Sequence, residues 1–91
     1  MIKILFVCHG NICRSTMAQF VFQDMVNKAS LADKIFIDSK ATSTEEIGNP
    51  PHRGTVQKMN ELGIPMQPHF ASQVRKSDYD KFDYIIGIIK I

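Results

Sequence analysis

The sequence has no apolar run long enough to cross a membrane: the longest, residues 4–7 and 84–89, are of strand length, far below the ~20 residues a spanning helix needs. No apolar leader precedes the first strand, so the expectation is a cytoplasmic chain. Cysteine is scarce. Cys8 and Cys13 are the only two, five positions apart, and a bond between them would close a small ring and staple nothing distant, which favours a reduced compartment. Nor does one sign of charge dominate. Eleven Lys and Arg against nine Asp and Glu leave +2, scattered rather than gathered into a stripe, which argues against nucleic acid as a partner. Repeats, linkers and low-complexity segments are missing too. What remains, 91 residues at 44% hydrophobic and 22% charged, is expected to form a single domain over 1–91. A chain of this size buries about two-thirds of its unfolded surface, so its core must be efficient.

Residues 2–7 form an uninterrupted run rich in β-branched and aromatic side chains, the pattern of a central parallel strand covered on both faces. Over 15–29, Ala18, Val21, Phe22, Met25 and Ala29 recur at spacings of three and four, which predicts a helix with one apolar face and Ser15 as its cap. Residues 34–38 read as a second strand, and 40–52, with Gly48, Asn49, Pro50 and Pro51, as a long loop. A second helix is expected over 54–62, with Val56, Met59 and Leu62 on one side and Gly63 as its stop. The segment 64–73 is irregular, Ser77 and the residues after it suit a short helical turn, and 82–91 end the chain in a strand. The order β-α-β-α-β implies an α/β fold with a parallel sheet between helical layers.

Between the first strand and the first helix lies Cys8-His9-Gly10-Asn11-Ile12-Cys13-Arg14-Ser15, where open α/β sheets place their ligands. A loop wrapped around a tetrahedral anion turns successive backbone amides inward, and the following helix adds its unsatisfied amides and positive dipole end. Gly10 and Asn11 tolerate the positive φ such a wrap requires. Arg14 brings a planar fork that matches two phosphate oxygens. The same field favours thiolate over thiol at Cys8, with Ser15 able to donate to the sulfur. Phosphate is therefore expected to contact residues 9–14 (His9, Gly10, Asn11, Ile12, Cys13 and Arg14), with Cys8 as the attacking group. The plainer alternative makes Cys8 and Cys13 small buried residues and Arg14 a surface charge. It leaves the strand before the loop and the Gly, Asn and Ser in it unexplained.

At these residues the chain resembles the low-molecular-weight protein tyrosine phosphatases. The resemblance rests on the strand followed by Cys-x-Gly-Asn-Ile-Cys-Arg-Ser and continues through residues 38–43, 46–51, 63–66, 69–71 and 82–86. It implies a cytoplasmic hydrolase of phosphotyrosine and small aryl phosphates that releases inorganic phosphate and uses neither metal nor cofactor. By the same resemblance Cys8 is the nucleophile, Arg14 the phosphate clamp, and Asn11, Ser15, Ser39 and His69 the polar network bracing the loop. Glu45, Glu46 and Asn49 fall in a wall of the substrate cleft. Glu45 stands where some members carry an aromatic residue, and Ser72 where an Arg is usual. The family continues to a fourth strand, further helices and an Asp-Pro loop that supplies the general acid, whereas here Ile88 and Ile89 stand where it has Met-Asp. The fold expected is thus a phosphatase-like sandwich without its last strand and helices.

Other polar residues have simpler readings. His9 fits the rim of the cup, His69 a structural hydrogen bond, Asp78 a helix start and Asp83 a strand entrance. Asp78, Asp80 and Asp83 are nonetheless the only nearby candidates to replace the missing acid. A non-catalytic phosphate-binding or regulatory module with the same loop is the competing function. Arsenate reduction, which needs further cysteines as a relay, is disfavoured because none follows Cys13. An uncovered last strand carrying Ile85, Ile86, Ile88, Ile89 and Ile91 predicts self-association.

Overall fold

The computed structural model describes residues 1–88. Three parallel strands, β1 (Ile2–Cys8), β2 (Ile35–Ala41) and β3 (Tyr84–Gly87), form one sheet in the order β2-β1-β3. Three helices complete the fold: α1 (Arg14–Lys28), α2 (Arg53–Glu61) and α3 (Lys76–Lys81). β1 is central, as its continuous apolar run requires, and its side chains alternate between two cores. Leu5 and Val7 pack with Phe82, Val74 and Ile85 on one face. Phe6 packs with Val26, Ile37 and the flanking Ile4, Ala18 and Phe22 on the other. Each such side chain contributes about 1.5 to 3 kcal/mol on burial, so this strand anchors both layers. No helix of the described residues is long and apolar enough to cross a membrane.

The element order matches the sequence expectation, with α3 a full short helix, but four details are corrected. β2 continues to Ala41 instead of stopping near residue 38, because Ser39, Lys40 and Ala41 pair in register with Phe6, Val7 and Cys8. The polar alternation of that stretch hides a strand whose far end belongs to the site. In α1 the buried line is Ser15, Thr16, Phe20 and Val26, while Met25 is 59% exposed. The first turn serves the loop before it, and this rotates the helix away from its purely apolar stripe. In α2 the buried pair is Thr55 and Met59, spaced i to i+4, and Leu62 is 56% exposed. Ser15 does not cap α1: Cys13 occupies the cap position without a side-chain bond.

The stop at Gly63 is as expected. Its φ is +68°, its amide donates to the Asn60 carbonyl, and the Ile64 amide reaches back to Met59, the paired closure of a Schellman motif. Asp83 introduces β3 by joining Lys3 twice: its amide donates to the Lys3 carbonyl at 2.8 Å, and its carboxylate accepts from the Lys3 amide at 2.8 Å. The strand spans four residues rather than the whole of 82–91, and the Ile89 and Ile91 expected to extend it lie outside the described residues.

Candidate active site

The loop from Cys8 to Arg14 closes around a cavity of about 440 Å³ lined by those residues and Ile88. Its shape follows from where its carbonyls go. Cys8 O accepts from the Thr42 amide at 2.9 Å, His9 O from the Ser43 amide at 3.1 Å, and Ile12 O from the His52 amide at 2.7 Å. The Ser43 hydroxyl also donates to His9 O at 2.8 Å, and the Thr16 hydroxyl donates to Asn11 O at 3.0 Å. With its carbonyls tied outward to the 42–52 segment and α1, the loop turns amides inward, and the Asn11 amide points at Cys8 Sγ from 3.3 Å.

Asn11 is the hub. It is fully buried and is the one loop residue with positive φ, +57°. Gly10, expected to share that role, does not; it brings the loop close to the wall, since a Cβ there would lie 3.4 Å from Glu46 Cγ. The Asn11 amide nitrogen donates to Ser15 Oγ at 2.8 Å and to Ser39 Oγ at 2.9 Å. Its side-chain oxygen accepts from His69 Nε2 at 2.9 Å, and Ser39 Oγ also donates to Gln19 Oε1. These donors fix the direction of the remaining bond. Ser15 accepts from Asn11, so its single proton is left for Cys8 Sγ, 3.0 Å away.

Burial pushes the Cys8 thiol up, but the Ser15 hydroxyl and the amides of Ser15, Asn11 and Gly10 more than offset it and hold the group below its ordinary value. Arg14 is not among the causes, contrary to the expectation that its charge would help. The lowering is produced by oriented dipoles. Arg14 opens α1 and lines the cavity beside Cys8. Burial likewise lowers His69, against the attraction of Asp38, which keeps the ring neutral with a proton on Nε2 for Asn11.

Cys13 is exposed on the same cavity. His9 and Glu45 pair at 3.0 Å, each about 70% exposed, which joins the loop to the segment that carries Glu46 and Asn49. Glu46 accepts from Asn49 Nδ2 at 2.6 Å, and the Asn49 carbonyl accepts from the Ala71 amide at 2.8 Å. The segment carrying His69 under the loop therefore also ties down the wall. Thr16, Gln19, Ser43 and His52 escaped the sequence reading. No periodic signal marks them in the sequence, because α1 carries polar residues on its outer side as well.

The family profile described as low molecular weight phosphotyrosine protein phosphatase matches residues 3–90. The chain is 48% identical over 88 residues to the low molecular weight protein-tyrosine-phosphatase YfkJ of Bacillus subtilis, an alignment covering 97% of this chain and 56% of YfkJ. It is 49% identical over 84 residues to the mouse low molecular weight phosphotyrosine protein phosphatase, covering 92% of this chain and 52% of that protein. The crystal structure of YfkJ superposes with a TM-score of 0.95 at 47% identity, over 98% of this chain and 56% of YfkJ. The chain spans about half the length of the curated relatives it matches.

Proposed function

Given that this chain belongs to the low molecular weight phosphotyrosine protein phosphatase family, we propose that it hydrolyses phosphotyrosine and other aryl phosphomonoesters through a phosphocysteine on Cys8. One observation carries the reading: Cys8 Sγ lines the cup and accepts hydrogen bonds from the Ser15 hydroxyl and the Asn11 amide. The phosphoryl group sits in the cup, its oxygens on the amides of residues 9–14 and on the Arg14 guanidinium. The thiolate attacks phosphorus, the S–P bond forms as the O–P bond to the aryl oxygen breaks, and water then cleaves the S–P bond to release inorganic phosphate. Ser15 holds the sulfur as an anion before attack and again as it departs. Asn11, Ser39 and His69 position Ser15 and the loop, while Glu45, Glu46 and Asn49 wall the cleft. The reading takes residues 1–91 as one domain working in the cytoplasm without a cofactor, on a phosphotyrosine protein or a small aryl phosphate.

A second reading has support from the carboxylates. Asp78 is bound to Lys40 and Asp83 to the Lys3 amide, so two of the three candidate acids are already engaged, with exposed Asp80 the third, and a cup that binds phosphate without turnover is the alternative. Nitrophenyl phosphate and vanadate separate the two. Cys8-dependent release of nitrophenol, lost in Cys8→Ser while vanadate still binds, is the expected result, with Arg14→Ala weakening binding itself. Vanadate binding with no release by the wild-type chain establishes the non-catalytic module; equal release by Cys8→Ser removes the covalent mechanism.

A further inference from the structure

Beyond the cup, the sheet carries a second polar cavity. Ser39 faces α1 through Gln19, so the next residue of β2, Lys40, projects to the opposite side. There a cavity of about 290 Å³ is lined by three cations, Lys40, Arg75 and Lys81, and one carboxylate, Asp78, with the hydroxyls of Ser72 and Ser77. The carboxylate is saturated. Both its oxygens accept from Lys40 Nζ, at 2.9 and 3.1 Å, and one also accepts from the Arg75 amide at 2.7 Å. Lys40 is the direct partner of Asp78, with Lys81 attracting it less strongly, and three cations against one carboxylate leave the cavity with a net positive charge. Among the described residues neither Arg75 nor Lys81 has an ion pair, and Ser72 and Ser77 are both exposed.

We infer that this cavity is a second anion site, for a dianionic phosphoryl group, with Arg75 as a planar fork, Lys81 as a point charge and the two serines as hydroxyl donors. Lys40 is the pinned floor that keeps Asp78 from repelling the ligand. A phosphoryl group fits better than a single carboxylate because three cations against one carboxylate, together with two serines, line the same cavity. Ile47, from the segment that walls the cup, forms another side of this cavity, so an occupant rests against the loop shared by the two sites. The phosphoryl group is either free phosphate or a second phosphorylated residue on a peptide.

The test is an NMR titration of the 15N-labelled 91-residue chain with inorganic phosphate, following the amides of Ser72, Ser77 and Lys81. Saturable shifts are expected there, with affinity weakened about two- to tenfold in an Arg75→Gln, Lys81→Gln double variant, the range two exposed ion pairs supply. Both positions are exposed, and the Asp78 oxygens accept from Lys40 Nζ and the Arg75 backbone amide, so the double variant leaves the Lys40–Asp78 hydrogen bonds in place. Arg14→Ala should reduce the shifts at residues 10–14 and leave the second set unchanged. Absence of saturable shifts at these three amides, or shifts that persist unweakened in the double variant, overturns the inference. Shifts at the second site without any at the cup overturn the proposed function and leave this site standing. A doubly phosphorylated peptide that moves both sets at lower concentration than phosphate identifies a substrate-borne group, whereas an equal or weaker response identifies the free anion.

Discussion

Replacing Asn11 with alanine tests the argument that one buried amide organises the cup. Three hydrogen bonds are lost: to Ser15 at 2.8 Å, to Ser39 at 2.9 Å and from His69 at 2.9 Å. Each is worth about 1 kcal/mol net, and partners left unsatisfied in the interior add to that. The backbone at +57° adds about 1 to 2 kcal/mol more, because alanine has a Cβ and no side chain to repay the left-handed conformation. The expected loss is about 4 to 6 kcal/mol, a large part of the stability of a chain this small. Asn11→Gly separates the terms: it should recover about 1 to 2 kcal/mol over alanine, since glycine accepts the positive φ, yet leave the polar network equally broken. Both variants also release Ser15 from its role as acceptor, so its proton is no longer reserved for Cys8 and the thiol pKa should rise in both. Urea unfolding gives the first quantity, and the pH profile of iodoacetamide alkylation in a Cys13→Ser background gives the second. An alanine variant within about 1 kcal/mol of the parent, or an alkylation profile unmoved in both variants, refutes the reasoning.

Breaking the Lys40–Asp78 pair by Asp78→Asn should destabilise the fold by about 1 to 3 kcal/mol, less than a fully buried pair would cost because Lys40 is 18% exposed and partly solvated once unpaired. Against burial, the Arg75 amide and Lys40 hold the Asp78 carboxyl below its ordinary 3.8, so its contribution is fully present above that value and lost as pH falls through the folded one. His69, held below its ordinary 6.5 by burial, acts in the same direction, and urea melts from about pH 7 to pH 3 should show stability falling with acid, less steeply in Asp78→Asn. Mild peroxide should join Cys8 to the exposed Cys13 on the same cavity, seen by mass spectrometry as an intramolecular loss of a hydrogen pair reversed by reductant; mainly sulfinic acid on Cys8 contradicts this. Because the 91 residues contain no Asp-Pro, turnover should favour acidic leaving groups, with phosphotyrosine, whose phenol has a pKa near ~10, cleaved about 10² to 10⁴ slower than nitrophenyl phosphate; similar rates with chemistry limiting would reveal an acid. The outer edge of β3, with Tyr84 59% and Ile86 44% exposed, predicts pairing with a second copy of the chain, and sedimentation as a stable monomer at about 50 μM counts against it.

The sequence by itself determined what is local. An apolar run of strand length, a Gly-Asn loop bounded by Cys8 and Arg14, and a glycine after a helix each act within a few residues, where steric preference and burial leave little choice. The β-α-β-α-β order and the position of the cup between the first strand and the first helix were legible for that reason. Tertiary structure decided what depends on residues distant in the chain. Polar side chains carry no periodic signal that says which of them will be buried, so the extension of β2 to Ala41, the inward Thr16 and Gln19, and the turning of Met25 and Leu62 to solvent followed only from packing. The source of the low Cys8 pKa was decided there as well. The sequence offered the inward amides, the helix start, Arg14 and Ser15 together, and packing decided among them: the sulfur accepts its side-chain hydrogen bond from Ser15, which is aimed by Asn11. Asn11 in turn is held by Ser39 and His69, which reach the loop from 28 and 58 residues away. Hydrogen bonds act over about 3 Å in space whatever the separation along the chain, and which groups come that close is settled only when β1 and β2 pair and the segment carrying His69 folds beneath the loop.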